Sequence, residues 1–211
     1  MRTAISLFTF ALLCSTTVLA QTQFGVKIGA NFGDIKEDIE FNTDLFSGLE
    51  PSPYELHITP QVGIWLDLPL TARLSLQPEL LWTQKIQESE NNNPTESFIN
   101  FQYFSLPVLA KYKLGKFRIE LGPEVSFLLD QSLRNSNGPF DESPFIDENV
   151  FEFAVNVGLH YTHNRWTIGA RASRDLTHFL EFEFTDGNGD VFGAIRDFHR
   201  SGMVWVGYQI L

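Results

Sequence analysis

The sequence predicts an all-β fold, an eight-stranded antiparallel up-and-down β-barrel that crosses a membrane, with short periplasmic turns and long extracellular loops. Three observations predict it. Eight runs of residues alternate between apolar and polar, which is the period-2 pattern of a strand with two different faces. The segments between the runs alternate between tight and long, and the aromatic residues of the apolar faces fall into two belts.

The fourth and fifth runs form the clearest hairpin, at residues 103–130. A polar turn at 113–116 joins two arms, and each arm has one apolar face and one face of charged or small residues. The arms are about 10 to 13 residues long, which exceeds the ~5–6 residues that are usual for soluble strands. They match the ~9–11 residues that a tilted strand needs to cross a bilayer.

The other six runs show the same alternation, at 24–32, 58–68, 73–86, 150–160, 166–175 and 202–211. Tight connections follow the second, fourth and sixth runs, and the long ones lie at 33–57, 87–97, 131–149 and 176–201. All long connections are therefore at one end, as in a barrel with short periplasmic turns. Prolines at 78, 107 and 123 predict bulges or kinks, because proline has no N–H to donate to the ladder.

The aromatic residues indicate which face meets lipid. One belt, near the tight turns, contains Phe24, Tyr112, Phe117, Trp166 and Tyr208, and the other, toward the long connections, contains Phe32, Trp82, Phe104, Phe127 and Phe151. Two belts of rings around an aliphatic band are typical of transmembrane barrels. The alternative is a soluble, lipocalin-like binder, which would bury the same apolar face, and alternation alone does not separate the two.

The first 20 residues predict a secretory signal peptide, and residues 21–211 a single barrel domain. Arg2 supplies a positive start, an apolar stretch follows, and Val18-Leu19-Ala20 forms a small-residue cleavage site. Cys14 is the one cysteine of the chain, so we expect an exported protein without disulfides. The net charge of −11 excludes nucleic acid as a partner, because its phosphates would be repelled.

Four segments carry a recognisable pattern: LQPELLWTQK at 76–85, YFSLPVLAKY at 103–112, LGPEVS at 121–126 and VGYQIL at 206–211. In these segments the chain resembles the PorT-like outer-membrane β-barrel family. The resemblance covers the mature chain and implies a small eight-stranded barrel in the cell outer membrane. Some members of that family are accessories of a protein-secretion system. The chain departs from the pattern at Leu211, where such barrels usually end in an aromatic residue.

Charged residues on the polar parity predict a filled lumen. They are Lys27, Asp67, Arg73, Glu79, Lys111, Arg118, Glu120, Glu124 and Arg171. An eight-stranded barrel is only wide enough for side chains to fill its interior. We therefore expect these groups to form a hydrogen-bonded plug, which offsets the cost of removing each charge from water. The alternative is an ion-conducting pore lined by the same groups, which needs a wider barrel.

The sequence predicts neither enzymatic activity nor a cofactor. The main alternative is a lipid A-modifying barrel enzyme, which would use a lipid-facing histidine, serine and acid. His178 and His199 lie in the last long connection and could approach Ser173 or Ser201, but no spacing defines a nucleophile and its base. We expect solvated loop histidines there, and we expect His160 beside a short turn at the opposite end.

The last long connection also contains a candidate calcium loop, with ligands Asp186, Asn188, Asp190 and Asp197. Val191 stands where such a loop needs glycine, so an ordinary turn is the simpler interpretation. The expected function is that of a non-enzymatic outer-membrane barrel with a structural or interaction role through acidic extracellular loops, including an accessory role in protein secretion. The expected partners are outer-membrane lipid, lipopolysaccharide, and other envelope or secretion proteins.

Overall fold

The computed structural model of the chain describes residues 22–41, 57–89, 97–135, 150–178, 180–185 and 191–211. The strands in these ranges are β1 (Gln23–Phe41), β2 (His57–Pro69), β3 (Leu74–Ser89), β4 (Ser97–Leu114), β5 (Phe117–Asn135), β6 (Phe151–His163), β7 (Trp166–Asp175), β8 (Leu180–Thr185) and β9 (Val191–Gln209). In this part of the chain no helix is long and apolar enough to span a membrane. The predicted signal peptide at 1–20 lies outside the described residues.

Eight of these strands close into a barrel. β1 to β7 are neighbours in chain order, β9 follows β7, and β9 also pairs with β1. Every pairing is antiparallel. β8 lies outside the ring, because it pairs with the first part of β9, beyond the point where β7 ends. The predicted eight-stranded antiparallel barrel is therefore confirmed, with one additional hairpin strand.

The strands are staggered and therefore tilted in the barrel wall. We start at Leu68 of β2 and step from each residue to its register partner on the next strand. One full circuit of the ring returns to β2 at Ile58, so the strands are staggered by about ten residues in total. The path passes through Leu76, Ala110, Leu121, Val157, Ala172, Gly202 and Phe32. For eight strands this stagger corresponds to a tilt of about 40° and to a narrow interior.

Apolar side chains cover the outside of the barrel, and polar side chains dominate the inside. On β4, Val108 is 40% exposed, whereas Leu109 and Lys111 are 0% and 2% exposed. The other strands show the same alternation, with exposed apolar residues such as Ile28 and Val157. The lipocalin-like alternative is wrong, because it requires the apolar face to be the buried one. A closed sheet with an apolar outer wall is the form in which strands satisfy their backbone groups within lipid.

Aromatic side chains form a continuous row across four neighbouring strands toward the long-connection end. The row consists of the register partners Trp82, Phe104, Phe127 and Phe151. At the tight-turn end, Trp166 is the register partner of Tyr208, and their ring centroids are 4.8 Å apart. The two groups lie at the heights that the predicted belts require, where rings meet the boundary between lipid and water.

Two tryptophans lie inside the barrel, each against a glycine of the wall. A Cβ atom on Gly25 would lie 2.3 Å from Cζ2 of Trp65, and one on Gly169 would lie 2.6 Å from Cε2 of Trp205. Both tryptophans are buried, so their indoles occupy the space that side chains at these glycines would need. Glycine at these inward positions therefore lets large rings fill the lumen to the density of a protein core.

The first and last strands are longer than the sequence predicts. Residues 33–41 and 191–201, expected in long connections, are strand because β1 and β9 pair with each other out to Phe41 and Gly193. Mutual pairing satisfies the backbone groups of both segments, which a polar composition alone does not reveal. Of the predicted long connections, residues 42–56, 90–96, 136–149, 179 and 186–190 lie outside the described residues.

The bulges expected at the strand prolines are also absent from the described pairings. Pro78 is the register partner of Val108, and Pro123 that of Val155, with no shift on either side. The shift in the pairing of β4 with β5 falls between Gln102 and Tyr103, away from the prolines. Each proline therefore omits a ladder bond without displacing the chain.

Val108 tests the outward orientation of the apolar face, because it lies midway between the two aromatic groups on β4. Val108→Arg places a charge against the hydrocarbon core, at a cost of about 2–4 kcal/mol. We expect it to lower strongly the fraction of barrel that shows heat-modifiable gel mobility after membrane insertion. Val108→Leu is the matched control and should assemble like the wild type. Equal assembly of the two variants would contradict the lipid-facing assignment.

Candidate functional site

An ion-paired hub occupies the centre of the lumen. The guanidinium of Arg171 donates from Nη1 and Nη2 to the two carboxylate oxygens of Glu79, at 2.9 Å each, and from Nε to Glu120 at 2.7 Å. Lys27 also donates to Glu79, at 2.5 Å. These four side chains come from β1, β3, β5 and β7 and are almost completely buried. The hub therefore ties β1, β3, β5 and β7 together across the interior of the barrel.

His160 extends this hub toward the wall of β6. Its Nδ1 lies 3.2 Å from Glu120, and its ring centroid is 5.6 Å from that of Trp205. His160 is only 2% exposed. His160 lies near the short turn after β6, as expected, and its ring is buried because His160 falls on the inward parity of its strand.

A second ion pair lies between the hub and the tight-turn end. Lys111 donates to Asp67 at 2.5 Å and also to the side-chain oxygen of Gln77. Gln77 in turn donates to Glu79 at 2.5 Å, which connects this pair to the hub. The structure thus brings together six of the nine charges that the sequence places in the lumen: Lys27, Asp67, Glu79, Lys111, Glu120 and Arg171.

Three of the nine lie apart from this network. Arg73 is exposed in the turn before β3. Arg118 lies near the same end and donates to the hydroxyl of Thr162 at 3.5 Å. Glu124 lies on the other side of the hub, where it accepts hydrogen bonds from Asn156 at 2.9 Å and from Ser126 at 3.2 Å.

A second cluster of ion-paired side chains lies toward the long-connection end and was not predicted from the sequence. Lys85 lies 2.7 Å from Glu152 and 3.2 Å from Asp175. Tyr103 donates its hydroxyl proton to Glu152 at 2.5 Å, and Nδ1 of His199 lies 3.3 Å from the same carboxylate. Strand parity could have placed Glu152 in the lumen, since Glu152 shares the inward parity of Asn156 and His160. His199 is 5% exposed on β9, so its assignment as a solvated loop histidine is wrong.

The second cluster has the donor types of a metal site. Glu152, Asp175 and His199 each offer a ligand atom, and these atoms lie within 4.8 Å of one another. The ammonium of Lys85 already binds both carboxylates and neutralises part of their charge. The cluster is therefore complete as an ion-paired group without a metal.

The calcium loop predicted for the last connection is divided by strand β9. Asp197 is the register partner of Leu180 and lies about 20 Å along the extended strand from Val191. A strand of this length does not fold back around an ion as a calcium loop does. The other three predicted ligands lie outside the described residues, and a calcium site among them stays a prediction. They are Asp186, Asn188 and Asp190.

A small polar cavity separates the two clusters. Its volume is about 20 Å³, and its lining includes Asn31, Gln61, Glu124, Asn156 and Ser201. A space of this size holds about one water molecule. Side chains therefore occupy most of the described lumen at this level.

The closed ring, the apolar outer wall and the paired charges inside define a transmembrane β-barrel of the cell outer membrane. The chain belongs to the outer membrane protein beta-barrel domain family, whose model matches residues 19–181. Its finer resemblance to PorT-like barrels stays a prediction. No curated protein matches the chain.

Several solved outer-membrane proteins are similar to the chain. Ail of Yersinia pestis is 12% identical over 90% of this chain and 99% of that chain, with a TM-score of 0.46. OprG of Pseudomonas aeruginosa is 10% identical over 89% of this chain and 95% of that chain, with a TM-score of 0.48. Neisserial surface protein A is 12% identical over 87% of this chain and 96% of that chain, with a TM-score of 0.46.

Arg171 tests the contribution of the hub to stability. Arg171→Met leaves the buried carboxylates of Glu79 and Glu120 with fewer partners, and breaking such a pair costs about 3–5 kcal/mol. We expect a lower urea midpoint for unfolding of the barrel in lipid vesicles, followed by intrinsic tryptophan fluorescence. Arg165→Gln, in the exposed turn between β6 and β7, is the control and should leave the midpoint unchanged. An unchanged midpoint for Arg171→Met would show that the hub contributes little.

Proposed function

We propose that this protein is a closed, non-enzymatic outer-membrane barrel with a structural or interaction role, exerted through acidic segments on its extracellular side. The filled lumen is the observation that carries this proposal. Charged side chains from four strands meet at the barrel axis, and the cavity beside them is about 20 Å³. An interior of this kind leaves the two ends and the outer wall as the surfaces that can act on other molecules.

The filled lumen argues against the pore. An aqueous channel needs a barrel much wider than eight strands, as in porins of 16 or more strands. The hub could open only by separating Arg171 from Glu79 and Glu120, which would leave buried charges without partners. The charged groups are therefore better explained as packing of the interior than as the lining of a path for ions.

The placement of the histidines argues against lipid A chemistry. Such chemistry needs its base on the lipid-facing side, because the acyl chains lie outside the wall. His199 points inward and lies beside Glu152 and Asp175. The ring of His178 lies edge-on to Phe198, with centroids 6.2 Å apart. Neither arrangement resembles a base that is aligned on a serine nucleophile.

The acids of the long-connection end support an interaction role. They are Asp34, Glu37, Asp38, Glu40, Asp44, Asp141, Glu142, Asp147 and Glu148. With these acids and a net charge of −11, we expect the long-connection end to be anionic and to repel acidic partners. Divalent cations can bridge such acids to lipopolysaccharide phosphates, and basic envelope proteins can bind them directly. The PorT-like resemblance places an accessory role in protein secretion among these interactions.

Conductance measurements test the closed, non-enzymatic barrel. The purified barrel in a planar bilayer should show no voltage-driven current steps, because side chains fill the axis. Cells with and without the gene should show identical lipid A mass profiles. Steady current steps from the wild type would overturn the closed barrel. A lipid A species that disappears with His199→Ala would instead favour the enzyme.

Single-cysteine labelling tests which end faces the cell exterior. The mature chain contains no cysteine, so Asn92→Cys, in the sequence between β3 and β4, and Lys116→Cys, in the turn between β4 and β5, each introduce a unique thiol. On intact cells, a membrane-impermeant maleimide should label Asn92→Cys, whereas Lys116→Cys should react only after the outer membrane is permeabilised. The reverse pattern would place the acidic segments in the periplasm and contradict the proposed role.

A further inference from the structure

The barrel has a cationic pocket at its tight-turn mouth. The pocket has a volume of about 180 Å³ and is lined by charged residues of the turn after β2 and of strands β2, β4 and β5. These charged residues are Asp67, Arg73, Lys111, Lys113 and Arg118. Four of the five are basic, although the protein as a whole carries a net charge of −11.

Three of these cations lie side by side across adjacent segments of the wall. The backbone N–H of Lys113 donates to the carbonyl of Arg73 at 2.8 Å, and Lys113 is the register partner of Arg118. Like charges directly opposite one another on neighbouring strands repel and destabilise the sheet. The fold therefore brings three positive side chains to the lining of one pocket, where like charges repel.

The described residues give this row no carboxylate partner. Asp67 is the one acid that lines the pocket, and its carboxylate binds Lys111 at 2.5 Å. The contact of Arg118 with Thr162 is long for a hydrogen bond, at 3.5 Å, and it involves a neutral hydroxyl. Among the described side chains, the charges of Arg73, Lys113 and Arg118 are thus not balanced locally.

We propose that this mouth pocket binds a phosphate group. The planar guanidinium groups of Arg73 and Arg118 can each donate two parallel hydrogen bonds to phosphate oxygens, and Lys113 adds a point charge. A volume of about 180 Å³ has room for one phosphate group with a few water molecules, since each water takes about 30 Å³. The bound anion relieves the repulsion within the row. This site is independent of the role proposed for the acidic end.

Calorimetric titration with inorganic phosphate tests the site. The full mature barrel is titrated at low ionic strength in dodecyl maltoside, a detergent without phosphate or charge. The wild type should bind one phosphate, and Arg118→Gln and Lys113→Gln should each weaken binding about tenfold or more, the loss expected for a charge-assisted hydrogen bond. Lys116→Gln and Arg165→Gln remove cations of nearby turns that do not line the pocket, and they should change the affinity less than about twofold.

The urea midpoint of unfolding at low salt is a second test of the site, and the direction of its change is predicted. Without phosphate, Lys113→Gln should raise the urea midpoint of the barrel, because it removes a like charge from the row. A fixed phosphate concentration should raise the midpoint of the wild type more than that of Arg118→Gln, whose affinity is lower. Heat-modifiable mobility shows that each variant is folded before titration. A folded wild type that takes up no phosphate, or control variants that lose as much affinity as Arg118→Gln, would overturn the proposal.

A titration in lipid distinguishes two sources of the phosphate group, a lipid headgroup and a soluble phosphate compound. In nanodiscs that contain phosphatidylglycerol, a headgroup that fills the pocket should weaken the binding of inorganic phosphate relative to the maltoside sample. Unchanged affinity in these nanodiscs assigns the site to a soluble phosphate compound. Both results support a phosphate site, whereas retention of full affinity in the Lys113→Gln and Arg118→Gln double variant contradicts it.

Discussion

The pairing of charges inside the barrel is the constraint on which the rest of the structure depends. Because lipid surrounds the wall, the outer face is apolar, and the polar side chains of every strand turn toward an interior too narrow for bulk water. A charge in such a place is stable only with partners at hydrogen-bond distance. Arg171 meets this requirement by binding Glu79 with both terminal nitrogens and Glu120 with Nε. The hub thereby connects β7 to β3 and β5 through the interior.

The rest of the interior follows from the same geometry. The ammonium of Lys27 lies 5.0 Å from the ring centroid of Trp205, so this tryptophan fills space and also faces a cation. Such large rings fit because the neighbouring inward positions are glycines, as at Gly169. The charged groups, the large rings and the glycines of the interior therefore depend on one another. Replacing any one of them disturbs the other two, since a filled lumen has little space for relaxation.

The two ends of the barrel differ in charge. By sequence, the predicted long connections contain most of the acids, and the tight-turn mouth presents Arg73, Lys113 and Arg118. The role proposed for this protein rests on what each end binds, with the membrane-spanning wall as the support for both ends. The opposite signs of the two ends direct them toward partners of opposite charge.

The sequence by itself determined the eight ring strands, their facing and several charges of the lumen, because a period of two assigns each side chain to lipid or interior without knowledge of its neighbours. It identified Lys27, Glu79, Glu120 and Arg171 in this way. Only the tertiary structure decided which of the inward side chains contact one another. Lys85 and Asp175 are 90 residues apart and become partners only when the closed, staggered ring brings β3 and β7 to one height. Parity indicates a face but not a height along the axis, so this cluster and the extension of β1 along β9 could not be predicted from the sequence.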